Sequence, residues 1–151
     1  YASIGKYLAE HGYIDKKTAS KASIENWFKE NPVRVTETLQ KNPSYIFFYE
    51  QNGEGPIGGE GVALTPLRSL AVDNSIIPYG APIWVNAKLN GDDGNNASTF
   101  QKLLIAQDTG SAIKTYLRMD IFFGYGKKAE KLAGYQNNRG SYFILLPNSA
   151  M

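Results

Sequence analysis

From Ser44 onward the chain is cut into short runs rich in aromatic and β-branched residues, separated by clusters of Gly, Pro, Asn and Asp. Such punctuation leaves little room for long helices and reads as strands joined by turns. The runs fall at residues 45–49, 67–72, 82–89, 102–106, 120–123 and 141–146. Their spacing suits a small β-barrel better than a doubly wound sheet. One helix is expected over residues 127–133, with Gly134 as its stop.

The front of the chain has a different period. Ile4, Tyr7 and Leu8 fall at helical spacing and Gly12 follows as a terminator. Ser20 and Ser23 are placed to cap a second helix whose Ile24, Trp27 and Phe28 share a face. Val35 and Leu39 suggest a third, ending before Asn42-Pro43 because a residue ahead of proline avoids helical geometry. The class is therefore mainly β with flanking helices.

Composition excludes several functions. At 151 residues, 42% hydrophobic and 20% charged, the chain can bury the core of one compact domain or most of one. A formal charge of +2 without any Lys/Arg run gives no footprint for nucleic acid. Lys16, Lys17, Lys127 and Lys128 read as solvated helix-end charges. The absence of cysteine removes disulfides and thiolate chemistry, and the single His11 reads as a helix-end residue rather than a metal ligand. The polar turn at residues 90–96 lacks the ligand spacing of a calcium loop, so no metal and no cofactor are expected. No apolar segment approaches the roughly 20 residues of a membrane helix, and no signal peptide or lipid-attachment cysteine opens the chain. Starting at Tyr1, it reads as a mature protein or a piece of a longer one.

Chemistry concentrates in two acids. Asp108-Thr109-Gly110 lies in a turn between apolar runs, and Asp120 heads the run Ile121-Phe122-Phe123. A carboxyl group among apolar neighbours, near a second carboxylate, has its charged form disfavoured and can serve as a general acid. The Asp-Thr-Gly triplet is also that of aspartic proteases, but a protease dyad has no use for the second acidic segment. Gly110 lets the backbone approach a ligand. Lys114 is placed to neutralise a carboxylate, bind a sugar hydroxyl, or remain a surface charge. Asp73 leads into Ile76-Ile77-Pro78-Tyr79-Gly80, where it either caps its own turn or meets substrate. The glycine-rich residues 53–61 lack a phosphate-loop pattern and read as a flexible hairpin beside a ligand groove.

Taken in order, six blocks resemble the catalytic domain of the MltA family of membrane-bound lytic murein transglycosylases. They are Ser3-Ile4-Gly5-Lys6; the stretch from Gln40 through Asn42-Pro43-Ser44 to Phe48; Ser69-Leu70-Ala71-Val72-Asp73 through Pro78-Tyr79-Gly80; Asp108 to Lys114; Asp120 to Gly126; and Ala133-Gly134-Tyr135. That domain, called the 3D domain for its three aspartates, is a double-psi β-barrel. The resemblance implies that residues 1–43 end an inserted domain and lead into a barrel at residues 44–151, with an N-terminal part lying outside this sequence. It implies non-hydrolytic cleavage of the β-1,4 bond between N-acetylmuramic acid and N-acetylglucosamine in peptidoglycan, leaving a 1,6-anhydromuramoyl end. Asp120 matches the catalytic aspartate, Asp108 its support, and Asp73, Gly110, Lys114 and Glu130 substrate-side positions; Asp73 and Glu130 compete for the third carboxylate. The implied partners are peptidoglycan glycan strands and wall-remodelling proteins, with any lipid anchor ahead of Tyr1 and a periplasmic, outer-membrane-associated location. Two alternatives remain open: a hydrolytic muramidase using the same aspartates, and a non-catalytic glycan-binding barrel using Trp84, Tyr116, Tyr125, Tyr135 or Tyr142 as stacking faces. A binding module tolerates Asp120→Asn; the enzymes do not.

Overall fold

The computed structural model describes residues 2–17, 19–48, 50–53 and 55–148. They form two units, Tyr1–Glu50 and Gln51–Met151.

The first unit is built from short, well-capped helices. The helix α1 (Ile4–Glu10) starts at Ser3, whose hydroxyl accepts from the Lys6 amide. His11 closes it, with its ring Nδ1 2.9 Å from the Tyr7 carbonyl. The next helix, α2 (Lys21–Glu30), opens on a reciprocal box in which the Ser23 amide donates to Ser20 Oγ and the Ser20 amide donates to Ser23 Oγ. A single 3-10 turn, Pro32–Arg34, then leads into α3 (Val35–Leu39). Leu8 and Trp27 are buried, and Tyr13 stacks on Trp27 at 5.4 Å. Arg34 covers the Tyr13 ring at 4.4 Å while donating to the hydroxyl of Tyr13. Stacked rings and a guanidinium thus do the work that a larger apolar core would do elsewhere.

The second unit is a five-stranded mixed sheet: β1 (Ser69–Val72), β2 (Pro82–Leu89), β3 (Ser98–Thr109), β4 (Asp120–Ile121) and β5 (Gly140–Ile144), in the order β4-β1-β3-β2-β5. The helix α4 (Gly126–Gly134) lies between β4 and β5 in sequence. Only β1 and β3 run parallel. Leu70, Val72, Ile77, Ile83, Val85, Phe100, Leu104 and Ala106 make the core. The edges, β4 and β5, do not pair with each other, so the described strands form an open sheet.

Several expected boundaries move, each for a local reason. Residues 45–48 form no strand, and Tyr49 lies outside the described residues; Tyr45, Phe47 and Phe48 are exposed and no ladder engages them. The run at 67–72 begins pairing only at Ser69, because Leu67 has φ 57° and cannot extend. Residues 102–106 are the middle of a longer strand, since β3 pairs with β2 and then β1 along successive parts of its length. The run at 120–123 shortens to Asp120–Ile121 ahead of the positive φ of Gly124, and that at 141–146 ends at Ile144. Only β2 keeps the boundaries its alternation suggests.

Candidate active site

Three strands bring the two acids into one row. Ala71 of β1 faces Asp108 of β3 on one side and Asp120 of β4 on the other. With neighbouring strands about 4.8 Å apart, the two aspartate backbones stand roughly 10 Å from each other. Both line a cleft of about 350 Å³, together with Gly110, Ile113 and Arg118.

The row depends on an irregularity in β3. Its pairing with β1 slips between Leu70 and Ala71, so that Leu70 faces Ala106 but Ala71 faces Asp108, and Gln107 is left over. Ala106 and Asp108 would share a face in a regular strand; the extra residue separates them, leaving Ala106 in the core and Asp108 beside Ala71. Gln107 is held in place by the buried Ser69, whose hydroxyl donates to its Oε1 at 2.7 Å.

Asp108 is half-buried, and its Oδ1 accepts from the Gly59 amide at 2.9 Å. Gly59 sits in a hairpin closed by Gly58 N donating to Val62 O and Leu64 N to Pro56 O. A Cβ on Gly58 would strike the Gln107 carbonyl, and one on Gly59 the Tyr79 hydroxyl. The glycines are therefore needed for close approach. The hairpin expected beside a groove is here the element that holds Asp108; Glu54 lies outside the described residues.

Asp120 departs from expectation. Its sequence neighbours are apolar, yet the carboxylate is half exposed (50%) and held in a two-armed ion pair, Arg118 Nε donating to Oδ1 at 3.0 Å and Nη2 to Oδ2 at 2.9 Å. The apolar seat is thus replaced by a guanidinium from two positions earlier in the chain. The bond to Asp120, and then its charge, hold the Arg118 guanidinium above its ordinary pKa. Its Nη1 also points to the Ala112 carbonyl at 3.4 Å, on the turn after Asp108. A second cleft, of about 830 Å³, lies beside the first; Arg118 and Asp120 border both.

The remaining positions divide. Asp73 is buried (5% exposed) and its Oδ1 accepts from the Ser75 hydroxyl at 2.6 Å and the Ser75 amide at 3.1 Å, while the Ile76 and Ile77 amides donate to its carbonyl. It caps its own turn and lines neither cleft. The Ser75 hydroxyl lowers its pKa, burial opposes, and Lys114 adds a favourable charge. Glu130 lies exposed on α4 and borders neither cleft. Of the rings, Tyr142 lines the larger cleft and donates to the Tyr116 carbonyl at 2.9 Å. Tyr125 is exposed ahead of α4, and Trp84 alternates with the core residues Ile83 and Val85. Among the described residues no three acidic or imidazole side chains converge as a metal would require. Arg118 and Gln107 are the site residues that sequence reasoning passed over.

An open mixed sheet with two carboxylates on the strands either side of β1 has counterparts among known proteins. The 3D domain matches residues 68–146 and the MltA specific insert domain matches residues 1–49. The chain belongs to the MltA family. It is 37% identical over 152 residues to membrane-bound lytic murein transglycosylase A of Vibrio cholerae, covering 99% of this chain and 41% of that protein. With the Escherichia coli K12 protein of that name it shares 34% over 147 residues, covering 96% of this chain and 40% of the relative. The chain thus spans about two fifths of the length of these relatives. Among solved structures, Escherichia coli MltA with bound chitohexaose superposes with a TM-score of 0.85 at 34% identity, covering 95% of this chain and 43% of that one. The monoclinic form of MltA from Neisseria gonorrhoeae gives 0.84 at 42% identity, covering 98% and 37%.

Proposed function

We propose that this chain carries the catalytic part of a peptidoglycan lytic transglycosylase, which cleaves the β-1,4 bond between N-acetylmuramic acid and N-acetylglucosamine to leave a 1,6-anhydromuramoyl end. The observation that carries the reading is the row Asp108, Ala71, Asp120 at the junction of two clefts, in a chain of the MltA family. An acid at such a junction has room for sugars on both sides of the bond it protonates. Asp120 gives its proton to the glycosidic oxygen as the bond from C1 breaks. The resulting carboxylate then takes the proton of the muramic C6 hydroxyl as O6 closes on C1. A hydroxyl on the same sugar has a high effective concentration, so the ring closes without outside water. Asp108, anchored by the Gly59 amide, supports the developing positive charge from across Ala71. Gly110 lines the same cleft, and Lys114 and Glu130 are read as substrate-side positions outside its lining.

The same reading assigns residues 1–43 to the end of an inserted domain and 44–151 to a double-psi β-barrel whose closure joins the β4 and β5 edges through further chain. The substrate is the glycan strand of peptidoglycan, and the location periplasmic and membrane-associated. The chitohexaose bound by Escherichia coli MltA supports a cleft shaped for linked N-acetylated sugars. Mass analysis of murein digested by the full-length gene product should find anhydromuropeptides. Reducing muramic ends carrying an added water would instead identify a hydrolytic muramidase.

A further inference from the structure

The ion pair at the junction of the clefts poses a chemical problem. A general acid needs a proton on one oxygen, but both oxygens of Asp120 accept from Arg118. Protonating either one removes an acceptor and opens one arm of the fork; the departure of that proton restores it. When an arm opens the guanidinium keeps a further contact, from its Nη1 to the Ala112 carbonyl on the turn that follows Asp108. Arg118 is itself half exposed, so its place comes from these bonds rather than from burial.

We propose that Arg118 is the positioning residue of this site, holding Asp120 toward the scissile bond through one arm while the acid is protonated and closing the second arm on the carboxylate as the proton leaves. The proposal rests on the reading of Asp120 as acid and then base. The sequence of bonds balances: the proton passes from Asp120 to the glycosidic oxygen, C1 loses the leaving sugar, and the carboxylate is received by the waiting Nε–H or Nη–H. The fork opens again when Asp120 takes the C6 hydroxyl proton and O6 bonds to C1. Stabilisation that is greater after proton loss than before assists the step that breaks the bond. Lysine cannot substitute fully, since a point charge on a flexible stem does not hold two oxygens in fixed directions.

The test is chemical rescue. Arg118→Ala, Arg118→Lys and Asp120→Asn are prepared in the full-length gene product, with murein binding measured by co-sedimentation and turnover by release of muropeptides. Arg118→Ala is expected to bind murein as the wild type does and to lose about 100-fold in turnover, the usual penalty for a misplaced acid. Millimolar guanidinium chloride should restore at least tenfold of that loss in Arg118→Ala and none in Asp120→Asn. Arg118→Lys should lie between Arg118→Ala and wild type. Wild-type turnover by Arg118→Ala or Arg118→Lys overturns the proposal, as does a loss in folded Arg118→Ala that guanidinium leaves untouched. Where Arg118→Ala does not fold, Arg118→Gln is judged by the same rescue. Wild-type turnover by Asp120→Asn overturns the underlying reading instead; an inactive Asp120→Asn beside an Arg118→Ala that guanidinium does not restore sinks only the role of Arg118.

Discussion

Asp73 is a buried carboxylate that caps its own turn. Its Oδ1 is taken up by Ser75, and its folded pKa is lowered by that hydroxyl, from an ordinary value of 3.8. A lowered folded value means that the stabilisation is fully present above the unfolded value and is lost as pH falls through the folded one. The urea midpoint of Asp73→Asn should therefore lie below wild type near neutrality, and the gap should close below about pH 4. A gap that stays constant from about pH 6 to pH 3 would show that the charge of Asp73 adds nothing. Both readings of Asp73 were visible in the Pro-x-Gly turn that follows it; the Ser75 hydroxyl and burial account for the cap. Arg118 was legible in principle, as an Arg two residues ahead of an Asp. It was obscured because the apolar flank of Asp120 suggested burial, whereas β4 is an edge strand whose polar side meets solvent.

Among the elements, β2 was readable because its alternation is complete: Ile83 and Val85 enter the core and Trp84 does not. The strand β3 was read at less than half its length, since residues 98–101 and 107–109 owe their extension to partners on two sides rather than to composition. The aromatic run at 45–48 misled for the converse reason: strong β-propensity forms nothing without a ladder to join. The parallel pairing of β1 and β3, and the slip at Gln107 that aims Asp108, are set across the fold and leave no local signature. The bond from Ser69 to Gln107 is the test of that slip. Ser69→Ala also leaves the Thr65 amide without its acceptor, and should lower stability by about 1–3 kcal/mol in urea unfolding. Turnover should fall with it, because the residue that aims Asp108 is released; a variant that loses stability but keeps full turnover would show the slip to be indifferent to Asp108.

For the whole molecule, the open sheet has unequal edges. The edge β4 has two residues and is followed by a glycine turn, which protects it. The other edge, β5, is longer and carries the exposed Phe143, with Leu145 and Leu146 beyond it. A flat apolar edge of that kind recruits other chains, so residues 1–151 expressed alone should elute partly as oligomers, and Phe143→Lys should shift them toward monomer. An unchanged elution profile would place the association elsewhere. The open edges were not foreseen, because strand count alone says nothing of closure. The strand between the two acids has a further consequence. Since Asp108 and Asp120 are separated by the hydrogen-bond lattice through Ala71, their spacing comes in whole strands, and the loop joining them does not set it. Outside Ala112 and Arg118 that loop is free to change sequence, and so to alter which glycans are admitted, while the gauge of the catalytic pair stays constant.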